Sequence, residues 1–190
     1  HLFLASLCAY ALAKIRFPGA QVMFKTVQTS LMFHSTITAV CSFMIMSAFK
    51  MVDTLWAVIV PAWASTLGLY LMKQFMETNV PDTVLESARL DGSTEFKTFW
   101  VIAMPMVKPA WLTLIIFSFQ GMWNATGASY IYSEELKMLP SIIGTITSGG
   151  VRRAGVSAAA ALLMMLPPIL IFVFSQKSVI QTMSSSGLKE

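Results

Sequence analysis

A dense group of charged side chains lies between Lys73 and Lys108, in a chain that otherwise carries little charge. Nine of the charged residues (13 Lys and Arg, 9 Asp and Glu in all) fall in this stretch. The carboxylates of Asp82, Glu86 and Asp91 can form ion pairs and hydrogen bonds with another protein. The sequence has no phosphate-binding lysine loop, no H-E-x-x-H pair and no G-x-S-x-G turn to give them a catalytic role. The chemistry that they support is recognition of a partner.

The sequence from 81 to 105 predicts two short helices separated by a break. Pro81 suits the first turn of a helix, and Asp82 lies at the positive end of the helix dipole. Gly92 can supply the left-handed residue that ends the first helix. Ser93 or Thr94 can then cap a second helix.

The helical period assigns faces to these two helices. The first helix has an apolar face with Val84, Leu85 and Ala88, and a charged face with Asp82, Glu86 and Arg89, where Glu86 and Arg89 can pair. The second has Phe96, Phe99, Trp100 and Ala103 on one face, and Pro105 stops it or begins the next segment. Small side chains at Ser87 and Ala88 suit insertion into a groove on another protein. A connector at the lipid surface, anchored by Trp100, explains the same residues equally well.

The rest of the chain has the composition of a membrane protein. Of its 190 residues 56% are hydrophobic and 12% charged, whereas soluble domains carry about 25% charged residues. Windows 26–49, 54–72, 109–133 and 154–176 contain no charged residue, and about 20 apolar residues span a bilayer. With the shorter run 1–13 they predict an all-α, polytopic transmembrane bundle of five visible segments. Because the chain begins in mid-run at His1, we expect an earlier segment before it.

Polar side chains within these segments are candidates for a solute pathway. The second segment carries hydroxyls, among them Ser35 and Thr38, together with His34, and these either line a cavity or bind neighbouring helices. His34 is more simply interpreted as a buried histidine than as a ligand. In the fourth segment Gln120 and Asn124 are the candidates, beside Trp123, which equally suits an interfacial position.

Proline and glycine residues predict where the later segments bend. Pro61 and Gly68 indicate a kink or a close helix contact in the third segment, and Pro167-Pro168 indicate a kink in the fifth. The polar connection 125–150, with Gly149-Gly150 at its end, contacts an extracytoplasmic binding protein or is a plain loop with a short re-entrant helix over 139–147.

The loop from 77 to 105 resembles the EAA loop of ABC importer permeases. The resemblance rests on Glu86-Ser87-Ala88, Asp91-Gly92 and Met104-Pro105; Ser87 replaces the family's Ala and Met104 its Leu. The carbohydrate-uptake branch, of the maltose permease G type, is indicated by further stretches in the same order: 10–19, 88–92, 99–100, 108–110, 121–124 and 166–190.

This resemblance implies a permease subunit that takes up sugars or oligosaccharides by alternating access and is not an enzyme. It implies a bacterial inner-membrane location, a cytoplasmic ATPase dimer, a second related permease subunit and an extracytoplasmic solute-binding protein. Contact with the ATPase would fall on Glu86, Ser87, Ala88, Asp91 and Gly92, and the tail Gly187–Glu190 loosely resembles the family's ending. Two alternatives stay open: another solute, such as an amino acid, a phosphorylated polyol or a lipid-linked sugar, or a membrane scaffold that transports nothing.

Charge distribution predicts the orientation of the chain. With the loop 77–108 in the cytoplasm, nine Lys and Arg lie inside and four outside, as the positive-inside rule requires; the C-terminus is then also inside. Arg152-Arg153 is the exception and would snorkel to the outer interface. The net charge of +4 comes without a basic, aromatic-rich stripe, so nucleic acid is not an expected partner.

The apolar segments contain no carboxylate and carry both cysteines of the chain. The charge-free windows hold no carboxylate of the kind that proton- or sodium-coupled carriers use, so an external ATPase must supply the energy. Cys8 and Cys41 lie in apolar segments, where we expect packing roles without a disulfide or a metal; no cofactor is expected.

Overall fold

The computed structural model describes residues 1–33, 35–127, 130–148 and 154–186, and of residues 35, 36 and 177–186 it describes the backbone alone. The described part contains helices and no strand, which confirms the all-α prediction. Two compact units are formed, one from His1–His34 and Trp63–Ile115 and the other from Ser35–Ala62 and Ile116–Glu190.

The first unit consists of helices around a buried apolar cluster. Its elements are α1 (Leu2–Lys14), α2 (Ala20–Ser30), α5 (Thr66–Asn79), α6 (Asp82–Leu90), α7 (Glu95–Thr98), a π-helical turn (Phe99–Ala103), α8 (Met104–Met106) and the first half of α9 (Lys108–Trp123). The extensive packing of α1 against α5 forms the centre of this unit. The core that results includes Tyr10, Met72, Met76, Leu85, Phe99 and Leu114.

The second unit contains α3 (Ser35–Ala48), α4 (Trp56–Trp63) up to Ala62, the end of α9, a 3₁₀ turn (Glu134–Leu136), α10 (Leu139–Thr147) and α11 (Ala154–Ser186). The short helix expected over 139–147 is present as α10 and packs on α11. Asp53, in a left-handed conformation (φ 61°), accepts hydrogen bonds from the backbone N–H of Tyr132 (2.9 Å) and of Ser133 (2.8 Å). These bonds join the turn before α4 to the segment before the 3₁₀ turn.

Only part of the predicted set of membrane segments forms long helices. In the described residues one apolar stretch, Ala154–Gln176, is long enough to cross a bilayer unbroken, and the pair Glu95–Met106 and Lys108–Trp123 is bent by 84°. The continuous helix expected over 26–49 is wrong, because α2 ends at Ser30 and α3 begins at Ser35. Hydroxyls at the end of α2 donate to its own carbonyls, as Ser30 does to Val27 O at 2.8 Å, and such bonds compete with the helix.

The third segment is divided at the place where a kink is predicted. Between α4, which contains Pro61, and α5, Ser65 caps the new helix by accepting a hydrogen bond from Gly68 N at 3.1 Å. Gly68 also permits a close helix contact, since a Cβ there would lie 2.6 Å from Nε2 of His1. The close contact expected at Gly68 is therefore present, and the helix is interrupted at residues 64 and 65.

The π-helical turn explains a further difference from the sequence prediction. Its longer period breaks the α-helical spacing, so Phe99 and Ala103 are buried while Phe96 and Trp100 are exposed. Of the two roles expected for Pro105, the structure has the second: Pro105 lies in the first turn of α8, where a missing N–H is tolerated, and the helix break comes at Val107.

Candidate functional site

The helix α6 begins and ends at the residues that the sequence indicates. Pro81 occupies the N-cap position and Asp82 the first turn. At the other end the N–H of Ser93 donates to Ala88 O and that of Gly92 to Arg89 O, both at 3.0 Å. With φ of +77° at Gly92, this is a complete Schellman motif. The residue type at 92 thus determines where α6 stops.

The following helix has the predicted cap and a second polar anchor. The Thr94 side chain accepts a hydrogen bond from Lys97 N at 3.4 Å, so Thr94, and not Ser93, is the cap. The hydroxyl of the buried Thr98 donates to Ser93 Oγ at 3.0 Å. The segment between the two helices is therefore held by side chains as well as by backbone.

Burial divides α6 into an inward and an outward face. Leu85 is 1% and Ala88 7% exposed, so both pack on their own subunit. Glu86, Ser87, Asp91 and Gly92 are exposed. The expectation that Ala88 is open for close approach by a partner is wrong, because the 3.6-residue period turns it, with Leu85, towards the core. Val84, expected on the same face, is 38% exposed.

One apolar side chain on α6 points away from the subunit. Leu90, at the last helical position, is 90% exposed. It lies directly before Asp91 and Gly92 and was not singled out by the sequence. The outward surface of α6 thus combines carboxylates, a hydroxyl and one large apolar group.

An ion pair joins the start of α6 to α1. Lys14 Nζ lies 2.8 Å from Asp82 Oδ1. The hydrogen bond from Lys14, and then its charge, lowers the pKa of Asp82 below the ordinary value of 3.8. The carboxylate is therefore ionised, and the pair intact, throughout the neutral range.

A second connection joins the end of α6 to α1 through Glu95. Tyr10 on α1 donates its hydroxyl to Glu95 Oε2 at 3.0 Å, and Arg89 Nε donates to Glu95 Oε1 at 2.6 Å. The pairing expected between Glu86 and Arg89 is wrong, because the guanidinium is already held by Glu95. Within the part of the chain that the structure describes, Glu86 makes no ion pair.

These ionic contacts line a cleft of about 390 Å³ between the end of α1 and α6. Its charged lining groups are Lys14, Arg16, Asp82, Glu86, Arg89 and Glu95. Three cations and three carboxylates leave the cleft without net charge, so it does not favour an anion or a cation. The ionic contacts along it hold α6 against α1.

We expect Tyr10→Phe and Glu95→Ala to be coupled in their effect on stability. A hydroxyl hydrogen-bonded to an ionised carboxylate contributes about 1.5–3 kcal/mol, and removing one partner leaves the other without its bond. The double mutant should therefore lose less than the sum of the single losses, by about 0.5–1.5 kcal/mol, in thermal unfolding of the purified complex. Tyr70→Phe is the matched control, because the Tyr70 ring stacks on Phe24 without a hydroxyl hydrogen bond among the described residues. Additive losses would contradict the Tyr10–Glu95 contact.

The candidate pathway residues lie in the second unit, on a helix or directly after one. Gln120 and Asn124 are one turn apart and both exposed at the end of α9, and the Asn124 side chain donates to Gln120 O at 2.9 Å. Ser35 is the first residue of α3, and Thr38 is exposed one turn later.

Two polar contacts in this unit were not predicted from the sequence. Trp123 Nε1 donates to Met164 O at 3.1 Å, and Asp53 holds the segment around Ser133. The contact of Trp123 could have been suspected from the sequence, because Pro168 lacks an N–H and leaves the Met164 carbonyl without its helical donor. The contact of Asp53 could not, because aspartate is common in turns.

Several expectations are corrected or lie outside the described residues. Cys8 and Cys41 are free and exposed, so their expected packing role is wrong: they lie on helix faces that the rest of the chain does not cover. His34, Gly149-Gly150, Arg152-Arg153 and the tail Gly187–Glu190 lie outside the described residues.

A family model described as "Binding-protein-dependent transport system inner membrane component" matches residues 2–185. The arabinooligosaccharides transport system permease protein AraQ of Bacillus subtilis is 28% identical over 99% of this chain and 67% of its own length. The polygalacturonan/rhamnogalacturonan transport system permease protein YtcP of the same organism is 30% identical over 73% of this chain and 48% of its own length. The sn-glycerol-3-phosphate transport system permease protein UgpE of Yersinia pestis is 26% identical over 95% of this chain and 65% of its own length.

A solved structure shares the fold. The crystal structure of a bacterial ABC transporter involved in the import of the acidic polysaccharide alginate matches with a TM-score of 0.77 and 22% identity, over 93% of this chain and 67% of that chain. The chain thus spans about two thirds of the length of several proteins that it matches. The helical fold inferred from the sequence is confirmed by this likeness.

The family consists of permease components, which are not enzymes and which work with a solute-binding protein and an ATPase. That agrees with the helix Asp82–Leu90, which exposes one charged face. The chain belongs to the inner-membrane components of binding-protein-dependent transport systems, the permeases of ABC importers.

Proposed function

We propose that this permease subunit imports sugars or oligosaccharides by alternating access driven by a separate ATPase. The observation that carries the proposal is the agreement among relatives: AraQ is named for arabinooligosaccharides and YtcP for polygalacturonan and rhamnogalacturonan. The alginate importer, which shares the fold, also handles a carbohydrate polymer. A phosphorylated polyol is the second candidate, because UgpE is named for sn-glycerol 3-phosphate.

Helix α6 is the proposed docking element for the ATPase. Its outward side chains at Glu86, Ser87 and Asp91 are exposed, and Leu90 adds an apolar contact of the kind that fits a groove. Gly92 sets the orientation of the helix through its left-handed φ. Ala88 contributes from the inside, because its small side chain allows α6 to lie close to its own subunit.

Movement of α6 would pass to α1 as rigid-body motion. The two helices are joined at both ends of α6, through the Lys14–Asp82 pair and through Glu95. Closure of an ATPase dimer would move α6, and the bound helix would carry the first unit with it.

The proposed assembly contains a second, related permease subunit, the ATPase dimer and an extracytoplasmic solute-binding protein. The positive-inside rule supports a multi-pass chain, one transmembrane domain over 1–190, with the loop 77–108 and the C-terminus in the cytoplasm. On the other side the segment 125–148 would face the binding protein, and the Asp53 contacts would hold part of it. Ser35, Thr38, Gln120 and Asn124 are proposed to line the solute path.

Transport assays with the complete importer test the solute class. The chain, with the partners that co-purify from its native membrane, is reconstituted in proteoliposomes, and uptake of labelled arabinooligosaccharides, galacturonides, simple sugars and sn-glycerol 3-phosphate is compared. We expect ATP-dependent accumulation of a saccharide only when the binding protein is present, which supplies the matched control. Accumulation of sn-glycerol 3-phosphate alone would favour the second candidate. Failure of every carbohydrate in an importer whose ATPase responds to another solute would contradict the proposal.

A further inference from the structure

Two consecutive prolines interrupt the hydrogen-bond ladder of α11. Pro167 and Pro168 lie inside this helix and have no N–H, so the carbonyls of Leu163 and Met164, four residues earlier, lose their usual donors. These carbonyls fall within the apolar stretch Ala154–Gln176. In a bilayer no water is available to replace the missing donors, so another group of the protein must do so.

Trp123 supplies one of the two missing donors. Its indole Nε1 donates to Met164 O at 3.1 Å, across 41 positions of sequence. An indole has one donor and no acceptor, so this single bond uses the polar capacity of the side chain. The acceptor is the carbonyl that Pro168, and not Pro167, leaves without a partner.

The position of the Trp123 ring also favours a fixed contact over an interfacial anchor. The ring stacks on Phe119 with centroids 5.6 Å apart and 16° between the planes. An interfacial tryptophan would direct its N–H to water and headgroups, whereas here it is directed to an apolar helix. Trp123 is also the last residue of α9, so the bond fixes the end of that helix.

We propose that Trp123 is a positioning residue for transport, because its indole replaces the donor that Pro168 removes and thereby ties the end of α9 to the middle of α11. A helix without two of its hydrogen bonds bends readily at that point. The tie restores one of them from outside and limits the angles that α11 adopts. The role in transport rests on the proposed function, whereas the bond between Trp123 and the Met164 carbonyl does not.

A double-mutant cycle tests the tie in the reconstituted importer. Trp123→Phe keeps an aromatic ring beside Phe119 and removes the donor, whereas Pro168→Ala returns a backbone N–H to the Met164 carbonyl. We expect Trp123→Phe to lower the melting temperature of the complex and to reduce ATP-driven uptake by roughly three- to twentyfold, the range of interhelical hydrogen bonds in membranes. In the Pro168→Ala background the same substitution should have little effect on either quantity.

Pro167→Ala is the matched control, because the N–H that it restores donates to the Leu163 carbonyl and not to the Met164 carbonyl. It should not rescue Trp123→Phe. A purely space-filling tryptophan would give equal losses in all three backgrounds, and that result would overturn the inference. Rescue by Pro167→Ala as large as that by Pro168→Ala would also overturn it. If the melting temperatures show the expected coupling while no carbohydrate is transported by the wild type, the proposed solute fails and the tie stands.

Discussion

Glu86→Lys is expected to abolish solute-stimulated ATP hydrolysis in the reconstituted importer while the subunit still inserts and folds. Glu86 is exposed on the outward face of α6 and makes no ion pair among the described residues, so reversing its charge costs the subunit itself little. A buried polar contact with a partner would instead be replaced by repulsion. Losing such a contact costs about 2–5 kcal/mol, which corresponds to a loss of about 30-fold or more in coupled activity. ATPase rates with and without solute measure this.

Lys25→Glu provides a charge reversal at an exposed residue of α2, outside α6 and outside the segment proposed to face the binding protein. It should leave ATP hydrolysis by the complex close to that of the wild type. The melting temperatures of both variants should match the wild type, which separates docking from folding. Normal solute stimulation in Glu86→Lys would refute the docking role of α6.

Gly92→Pro should uncouple transport from ATP hydrolysis, because it changes the backbone geometry at the end of α6. Proline fixes φ near −65°, whereas Gly92 has φ of +77°. The substitution also removes the N–H that donates to Arg89 O at 3.0 Å, and it disfavours the conformation of Asp91, which has φ −74° and ψ 3°. Because three features of the native backbone conflict with proline at this position, we expect the substitution to destabilise the end of α6 by about 3 kcal/mol or more and to abolish ATP-driven uptake.

Gly92→Asn is the informative control, because asparagine tolerates the left-handed conformation better than other residues with a side chain. A Cβ at this position meets no atom within 4 Å, so steric conflict does not disturb the comparison. We expect Gly92→Asn to retain most coupled ATP hydrolysis. Equal losses in the asparagine and proline variants would show that the left-handed φ at this position is not what sets α6.

Local chemistry allowed α6 to be predicted almost residue by residue. A proline, an aspartate and a glycine fix its two ends through short-range effects: in the structure Pro81 is the N-cap of α6, and Gly92 directly follows its C-cap Asp91. The face that Leu85 and Ala88 share was also predictable from helical periodicity. What that face packs against was not, because burial depends on helices distant in sequence. Ala88 was consequently expected to face a partner when it faces its own core.

Long-range pairing accounts for the other differences. Arg89 pairs with Glu95 and not with Glu86. Tyr10, which is 85 residues from Glu95 in sequence, also donates a hydrogen bond to Glu95 and helps to fix its position. Composition predicted continuous spans, yet hydroxyls and a serine cap divide two of them, because local hydrogen bonds compete with helix continuation. The contact of Trp123 with Met164 needs the fold to bring the two residues together.

The π-helical turn Phe99–Ala103 has a consequence for how the sequence can vary in length. It stands between the element proposed to receive force and the helix that begins at Lys108. Because a π-helical turn holds one residue more than an ordinary turn, deleting one residue there would convert the bond from Met104 N–H to Phe99 O into an ordinary i→i+4 bond. The helical residues on either side would keep their faces. In this stretch a change of one residue alters the type of helical turn, whereas in a surface loop it alters length alone.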